Sequence, residues 1–283
     1  MYRPFCKTNL YYGNDLNEVV GQFPKLFPTG REKNLLICVN GNGNKNFSVM
    51  MTNKITDVQF QFNGQCFPLY YYERARQVSL FGENLQRRDG VSDWILNRAK
   101  LLYGIDVTRE DIFYYVYGFL HLPIYREKFS SELKKSLPRI ILTLDAKKFW
   151  QLSRAGRNLA EIHLNYETQP PAEVDVEIIS ENYRVKKMRL SKDKTTLTYN
   201  EHITIKNIPP RAFEYVVNGR SPLEWIIDRY QIKTDTASGI VNNPNDWGIE
   251  HGDEKYILNL ILSCITVSLK TLDIVDSLPD VEF

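Results

Sequence analysis

Two pairs of prolines divide the chain and limit where its regular structure can run. Pro170-Pro171 follows a stretch in which apolar residues recur every three or four positions, and Pro209-Pro210 follows a series of short alternating segments. Proline lacks a backbone N–H donor and fixes φ, so neither a helix nor a central strand continues through such a pair. The pattern therefore predicts a β insertion at residues 169–210 between two helical regions.

The same pattern divides the rest of the 283-residue chain into a β-rich part at 1–90 and helical parts at 91–168 and 211–283. Strands are predicted at 34–39, 47–50, 58–62, 66–70, 174–179, 183–190, 195–199 and 203–208, with a hairpin turn at Asn63-Gly64. Helices are predicted at 92–103, from 108, at 123–133, from 145, from 221 and at 254–276. We expect an α+β fold in which the β-rich N-terminal part and the β insertion flank a helical bundle.

Composition indicates a globular protein of a reducing compartment. Hydrophobic residues make up 43% and charged residues 25% of the chain, and the net charge is only +2. The four cysteines are scattered without a C-x-x-C pair, which argues against a zinc site or a disulfide framework. The N-terminus has no leader pattern, and no apolar run is expected to reach the length of a membrane span. We expect a cytoplasmic protein without a membrane partner.

Motifs of catalysis are missing or incomplete in the sequence. There is no phosphate-binding G-x-x-x-x-G-K-[ST] loop, and Gly41-Asn-Gly43 lacks the third glycine of a dinucleotide fingerprint. Asn243-Pro-Asn-Asp-Trp247 resembles the Asn-Pro-Pro-aromatic motif of amino-methyltransferases, but it has one proline and a displaced aromatic residue. The end of the chain, from Pro279, resembles a PD…E-x-K nuclease motif without its lysine. We expect no catalytic residue, no metal and no cofactor.

The β insertion is locally basic and is the first candidate nucleic-acid surface. A β-ribbon can enter the major groove, where lysine and arginine bind phosphates or guanine edges. Strand alternation would place Arg184 and Lys186 on one face and Lys187 and Arg189 on the other, unless a bulge intervenes. Charge alone favours the alternative, a solvated hairpin with ordinary surface lysines. The candidate DNA-binding residues are Arg184, Lys186, Lys187, Arg189, Lys192 and Lys194.

A second basic group is interleaved with Tyr70, Tyr71 and Tyr72. Arginine beside aromatic residues can hold a nucleic-acid backbone and stack on bases. The alternative is a strand end that packs its tyrosines against the core, and the sequence leaves both interpretations open. The candidate residues are Arg74, Arg76, Arg87 and Arg88.

Several long strings, in a fixed order, resemble the C-terminal specificity domain of Type ISP restriction-modification enzymes. The resemblance covers nearly the whole chain, and its clearest helical match is Tyr115-Val-Tyr-Gly-Phe-Leu-His-Leu-Pro-Ile-Tyr-Arg126. These strings consist mostly of helix faces, caps and turns, so they identify a family without identifying which bases it reads. The other matching segments are 2–7, 10–12, 65–71, 137–140, 149–150, 155–157, 159–166, 217–230 and 239–247.

The resemblance implies a target recognition domain, residues 1–283, that reads duplex DNA and carries no catalytic site. In that family one polypeptide joins this domain to a nuclease, a helicase-like ATPase and an adenine methyltransferase. The implied partners are duplex DNA and the upstream methyltransferase and helicase–nuclease domains, which the domain would position at an asymmetric site. Two alternatives stay open: a protein-interaction module that docks those domains without touching DNA, and a degenerate nuclease or methyltransferase fragment.

Overall fold

A computed structural model describes residues 1–12, 15–17, 20–41, 43, 46–74 and 85–283. The helices are α1 Phe23–Leu26, α2 Asp93–Tyr103, α3 Arg109–Phe119, α4 Pro123–Lys128, α5 Ala146–Leu164, α6 Pro222–Arg229, α7 Asn245–Glu250 and α8 Tyr256–Asp276. The strands are β1 Leu36–Val39, β2 Val49–Thr52, β3 Gln65–Pro68, β4 Tyr70–Arg74, β5 Leu85–Asp89, β6 Asp175–Ile178, β7 Arg189–Leu190, β8 Leu197–Thr198, β9 Ile203–Lys206, β10 Lys233–Thr234 and β11 Val241–Asn242. Together they confirm the predicted α+β class.

The chain divides into two compact units. The first contains residues 1–3, 7–164 and 274–283, and the second contains residues 4–6 and 165–273. In the first unit an antiparallel sheet has the strand order β2-β1-β3, and a separate ribbon pairs β4 with β5. Every residue of β1 and β2 is buried. The core of this unit stacks Phe149 between Tyr103 and Tyr115, with ring centroids 4.0 and 4.9 Å apart.

Three helices begin at side chains that cap them. Ser92 accepts a hydrogen bond from the Ile95 backbone N–H at the start of α2. Thr108 and Ser221 each form a complete capping box, at α3 and α6, in which the acid three residues later bonds back to the cap. These side chains satisfy backbone N–H donors that a helix start leaves unpaired, so the helices begin at these positions. The predicted starts of α2, α3 and α6 are confirmed.

Helices α3 and α5 cross in backbone contact, and two glycines permit it. A Cβ built on Gly156 would lie 1.9 Å from the Tyr114 carbonyl oxygen, and one on Gly118 would lie 2.3 Å from the Leu152 carbonyl oxygen. Carbon and oxygen atoms that are not bonded do not approach this closely, so any larger residue would force the helices apart. The glycine of the Ala155-Gly-Arg157 string is therefore a packing residue.

Two histidines are buried beside this crossing. The Tyr117 hydroxyl is 2.5 Å from His163 Nδ1, and it accepts a hydrogen bond from the Met51 backbone N–H. His121 Nδ1 lies 2.8 Å from the Tyr117 carbonyl oxygen. Burial, followed by the nearby Arg126 charge, lowers the pKa of His163 to about 3 and holds the pKa of His121 well below its usual value. Both rings are therefore neutral in the folded protein.

The neutral histidines should make the protein less stable as pH falls from 6.5 to 5. Below their ordinary pKa the unfolded chain binds protons that the folded protein does not, so stability is complete above about pH 6.5 and is lost as pH falls. Each histidine can contribute up to about 1.4 kcal/mol per pH unit. Urea midpoints measured across this range test the expectation. His121→Asn should flatten the dependence, whereas the control His251→Asn should not, and a flat parent profile would contradict it.

The second unit is built on an antiparallel sheet of order β6-β9-β8-β7, with a short ribbon that pairs β10 with β11. Strand β9 places Ile203 and Ile205 in the core. Helix α8 is long and apolar enough to cross a membrane, so the expectation that no segment reaches that length is wrong. More than half of its most apolar window is buried within the protein, as expected for a core helix.

Several predicted boundaries are wrong for local reasons. Residues 58–61 form a 3-10 helix instead of a strand, because the Asp57 carboxylate accepts a hydrogen bond from the Gln59 backbone N–H. Gln61 is consequently buried and Val58 is 70% exposed, whereas a strand with one buried face would place Val58 inside and Gln61 outside. Phe62 and Asn63 then adopt positive φ and lead into β3, so Asn63-Gly64 does not join two paired strands. The predicted helix from Pro123 already ends at Lys128, and the predicted strand at 195–199 contains only two residues.

Candidate nucleic-acid interface

The basic segment, residues 184–189, is not the regular strand that alternation predicted. Residues 183–188 lie outside any strand, the chain bends at Lys186, and pairing begins only at β7. Tyr183, Val185 and Met188 are buried, and the positions between them are exposed. The bend breaks the alternation, so the predicted division of the four cations between two faces is wrong. The side chains of Arg184, Lys186, Lys187 and Arg189 are all exposed.

A buried asparagine replaces the missing strand partner. The Asn245 amide accepts a hydrogen bond from the Val185 backbone N–H and donates one to the Val185 carbonyl oxygen, both at 2.8 Å. Asn245 is only 8% exposed and begins α7. An amide side chain can satisfy both backbone polar groups of one residue in the way that a neighbouring strand does. The near-match to a methyltransferase motif at 243–247 therefore includes the residue that fixes the basic segment.

Four further hydrogen bonds hold the backbone around this point. The Asn200 amide donates to the carbonyl oxygens of Asn182 and Arg184, at 2.7 and 3.1 Å. The Tyr199 hydroxyl donates to the Tyr183 carbonyl oxygen at 2.7 Å. The Ile232 backbone N–H donates to the carbonyl oxygen of Lys186. Since these bonds satisfy the backbone from within the unit, the side chains of the basic segment are left directed to solvent.

The cations of this region fall into two groups. Among the described residues, no carboxylate lies within ion-pair distance of Arg184, Lys186, Lys187, Arg189 or the exposed turn residue Lys192. By contrast, Lys194 Nζ is 2.8 Å from Glu224 Oε1, and Lys206 Nζ is 2.6 Å from Glu177 Oε1. Lys194 thus supports the capping box of α6, and its predicted role in DNA binding is weakened because its charge is already paired.

Lys255 is a cation that the sequence analysis did not single out. Its ammonium group lies over the Tyr183 ring, 4.9 Å from the centroid, next to Arg184 in the chain. The residue is exposed at the start of α8 and is separated from Tyr183 by more than 70 positions in sequence. Charge clustering along the sequence could not reveal it, because only the fold brings it to the basic segment.

The second predicted group lies on the β4–β5 ribbon of the first unit. Register places Tyr71 opposite Arg88 and Tyr72 opposite Arg87. The Arg87 guanidinium stacks on the Tyr70 ring, 4.2 Å from its centroid, and Arg88 Nε is 3.5 Å from a Glu73 carboxylate oxygen. The backbone of Arg74 is in β4 opposite Leu85, and Arg76 lies outside the described residues. The two described arginine side chains therefore already have partners within the ribbon.

Comparison with known proteins identifies a family model and several similar solved structures. The model for the Type ISP C-terminal specificity domain matches residues 1–260. The ATP-dependent Type ISP restriction-modification enzyme LlaBIII bound to DNA is 41% identical, with a TM-score of 0.89. A nuclease-deletion mutant of the Type ISP enzyme LlaGI, in complex with a DNA substrate mimic, is 42% identical, with a TM-score of 0.84. A DrdV–DNA complex is 27% identical, with a TM-score of 0.83.

These similarities cover all of this chain but a small part of each relative. The matched region is 18% of the LlaBIII chain, 21% of the LlaGI chain and 28% of the DrdV chain. No protein of curated function matches the sequence.

Proposed function

Because the chain belongs to the Type ISP C-terminal specificity domain family, we propose that it recognises a specific sequence in duplex DNA for a restriction-modification enzyme. In this proposal residues 1–283 act as one target recognition domain. The domain positions a methyltransferase and a helicase–nuclease of the same polypeptide at its site. Three similar structures that contain DNA, two of them Type ISP enzymes, support this proposal.

The observation that carries the proposal is the basic segment. Four exposed cations, none of them paired with a carboxylate in the described part of the chain, stand on a backbone fixed by buried hydrogen bonds. Phosphate contacts supply affinity and orient a protein on the duplex, while arginine can read guanine directly. A rigid support suits base reading, because a correctly placed donor loses little freedom when it binds.

The proposal assigns no chemistry to the chain itself. Cleavage and methyl transfer would belong to other parts of the enzyme, and the site of action would be the cytoplasm, where the enzyme meets DNA. In the described ranges no three histidine, cysteine, aspartate or glutamate side chains are grouped to hold a metal. The two buried histidines each contact Tyr117 through Nδ1 and are neutral. Buried, neutral rings are unsuited to acid catalysis at the surface.

Selection from a random duplex library tests the function. The chain, fused to its natural methyltransferase, should enrich one asymmetric motif, and the chain alone should neither cleave DNA with magnesium nor transfer methyl groups from S-adenosylmethionine. Absence of enrichment together with absence of duplex binding at low salt would favour a protein-docking module. Turnover that survives stringent purification would instead favour a catalytic fragment.

A further inference from the structure

Helix α2 presents an outward face that nothing described in the structure covers. Its opposite face packs Leu96, Ala99 and Tyr103 into the core of the first unit. On the outward face Trp94 is 74% exposed and Leu101, two turns later, is 83% exposed. Residues seven apart lie on the same side of a helix, so these two side chains form one stripe.

Apolar residues continue beyond the end of this helix. Gly104 ends α2 at a positive φ, and Ile105, which follows it, is 79% exposed. Leu144 is 85% exposed and adjoins Thr143, whose carbonyl oxygen accepts a hydrogen bond from the Tyr103 hydroxyl. Isolated exposed apolar residues are common, but several of them on and just beyond one helix face are more typical of an interaction site.

The residue types of the stripe favour a protein partner over DNA. Arg98 lies between Trp94 and Leu101 on the helix and makes no ion pair with a described residue. Asp93 precedes the stripe and is paired with Arg109. DNA interfaces are strongly positive and polar, whereas tryptophan and arginine are the residue types that dominate binding at protein interfaces.

We propose that the α2 stripe, Trp94, Arg98, Leu101 and Ile105, docks on an apolar surface elsewhere in the restriction-modification polypeptide. That surface carries a carboxylate facing Arg98. The inference rests on the proposed function. It commits to this partner because the matched region is only 18 to 28% of the relatives' chains, which leaves most of such a polypeptide to supply the complementary surface. Covering these exposed side chains would remove apolar surface from water, which stabilises the docked state.

Thiol labelling in the complete polypeptide tests the docking. Leu101→Cys should react with a maleimide at least about tenfold more slowly in the full polypeptide than in this chain alone. The matched control is Ile179→Cys, which replaces a side chain that is 84% exposed in the second unit, and it should change much less. Equal rates for Leu101→Cys in the two proteins would overturn the proposal. Protection that appears in this chain alone and increases with concentration would also overturn it, by assigning the stripe to self-association.

Duplex binding measured on the same samples separates this inference from the proposed function. Protected Leu101→Cys without DNA binding would reject the proposed function and leave the docking supported. DNA binding with unprotected Leu101→Cys would do the reverse. In the full polypeptide, adding Arg98→Asp to the Leu101→Cys variant should restore much of the labelling rate of Cys at this position. The aspartate would face the partner's carboxylate with a like charge and weaken the docking.

Discussion

Replacing Arg184, Lys186, Lys187 and Arg189 together with alanine should weaken duplex binding by about 100-fold or more at physiological salt. Each cation that contacts a phosphate contributes roughly 0.9 to the dependence of log affinity on log salt, so four losses should lower the slope by roughly 3 to 4. An arginine that reads a base should instead cost roughly 1–3 kcal/mol and relax one position of the recognised sequence. Titrations with specific and random duplexes across salt separate the two contributions.

Pairwise variants refine this test. Because all four side chains are exposed, Arg184→Ala with Lys186→Ala and Lys187→Ala with Arg189→Ala should each weaken binding. Lys194→Ala with Lys206→Ala is the matched control, since it removes the same charge from residues that are already paired with Glu224 and Glu177. Its effect should be clearly smaller. If both test pairs bind like the parent, the basic segment is a solvated surface and the β4–β5 ribbon becomes the place to search.

Gly156→Val should lower the free energy of unfolding by about 3 kcal/mol or more. In an ordinary helix, replacing glycine with alanine or valine usually leaves the free energy of unfolding unchanged or raises it. A large decrease here would therefore come from the crossing of α3 and α5. The Cβ would overlap the Tyr114 carbonyl oxygen, and a backbone atom cannot turn away as a flexible side chain can. The helices must therefore separate, which opens the core around Phe149 and Leu152.

Urea denaturation measures this effect, with Asn158→Ala as the control. Asn158 is exposed on the same helix, and its replacement should change stability by no more than a gain of about 0.5 kcal/mol, because alanine has the higher helix propensity. A Gly156→Val midpoint equal to that of the parent would show that α3 and α5 do not touch through their backbones.

Local chemistry explains which parts of the fold were predictable from sequence. Ser92, Thr108 and Ser221 combine a capping side chain with a helical pattern, and each of these helices begins where the sequence places it. The family could also be recognised from the sequence, because the matching segments consist of such caps and helix faces. These features depend on residues within a few positions of one another, so no knowledge of the tertiary structure is required.

The shape of the candidate interface depends on distant residues and could not be predicted in this way. Asn245 pairs with Val185 across 60 positions, and this bond takes the place of the strand that alternation predicted. Lys194 bonds to Glu224 across 30 positions, which removes a cation that the charge count had included. The alternation of residue types along a segment shows only the periodicity of that segment. Which side chains of the basic segment face solvent is set instead by polar side chains from other parts of the fold.

The way in which Asn245 and Asn200 hold the basic segment has a consequence for how the recognised sequence can evolve. The backbone is fixed by side chains outside the segment, and its inward positions are Tyr183, Val185 and Met188. The outward positions can therefore be exchanged with little effect on folding. A library that randomises 184, 186, 187 and 189 while keeping the inward residues and both asparagines should retain mostly folded members, and from these new target preferences can be selected.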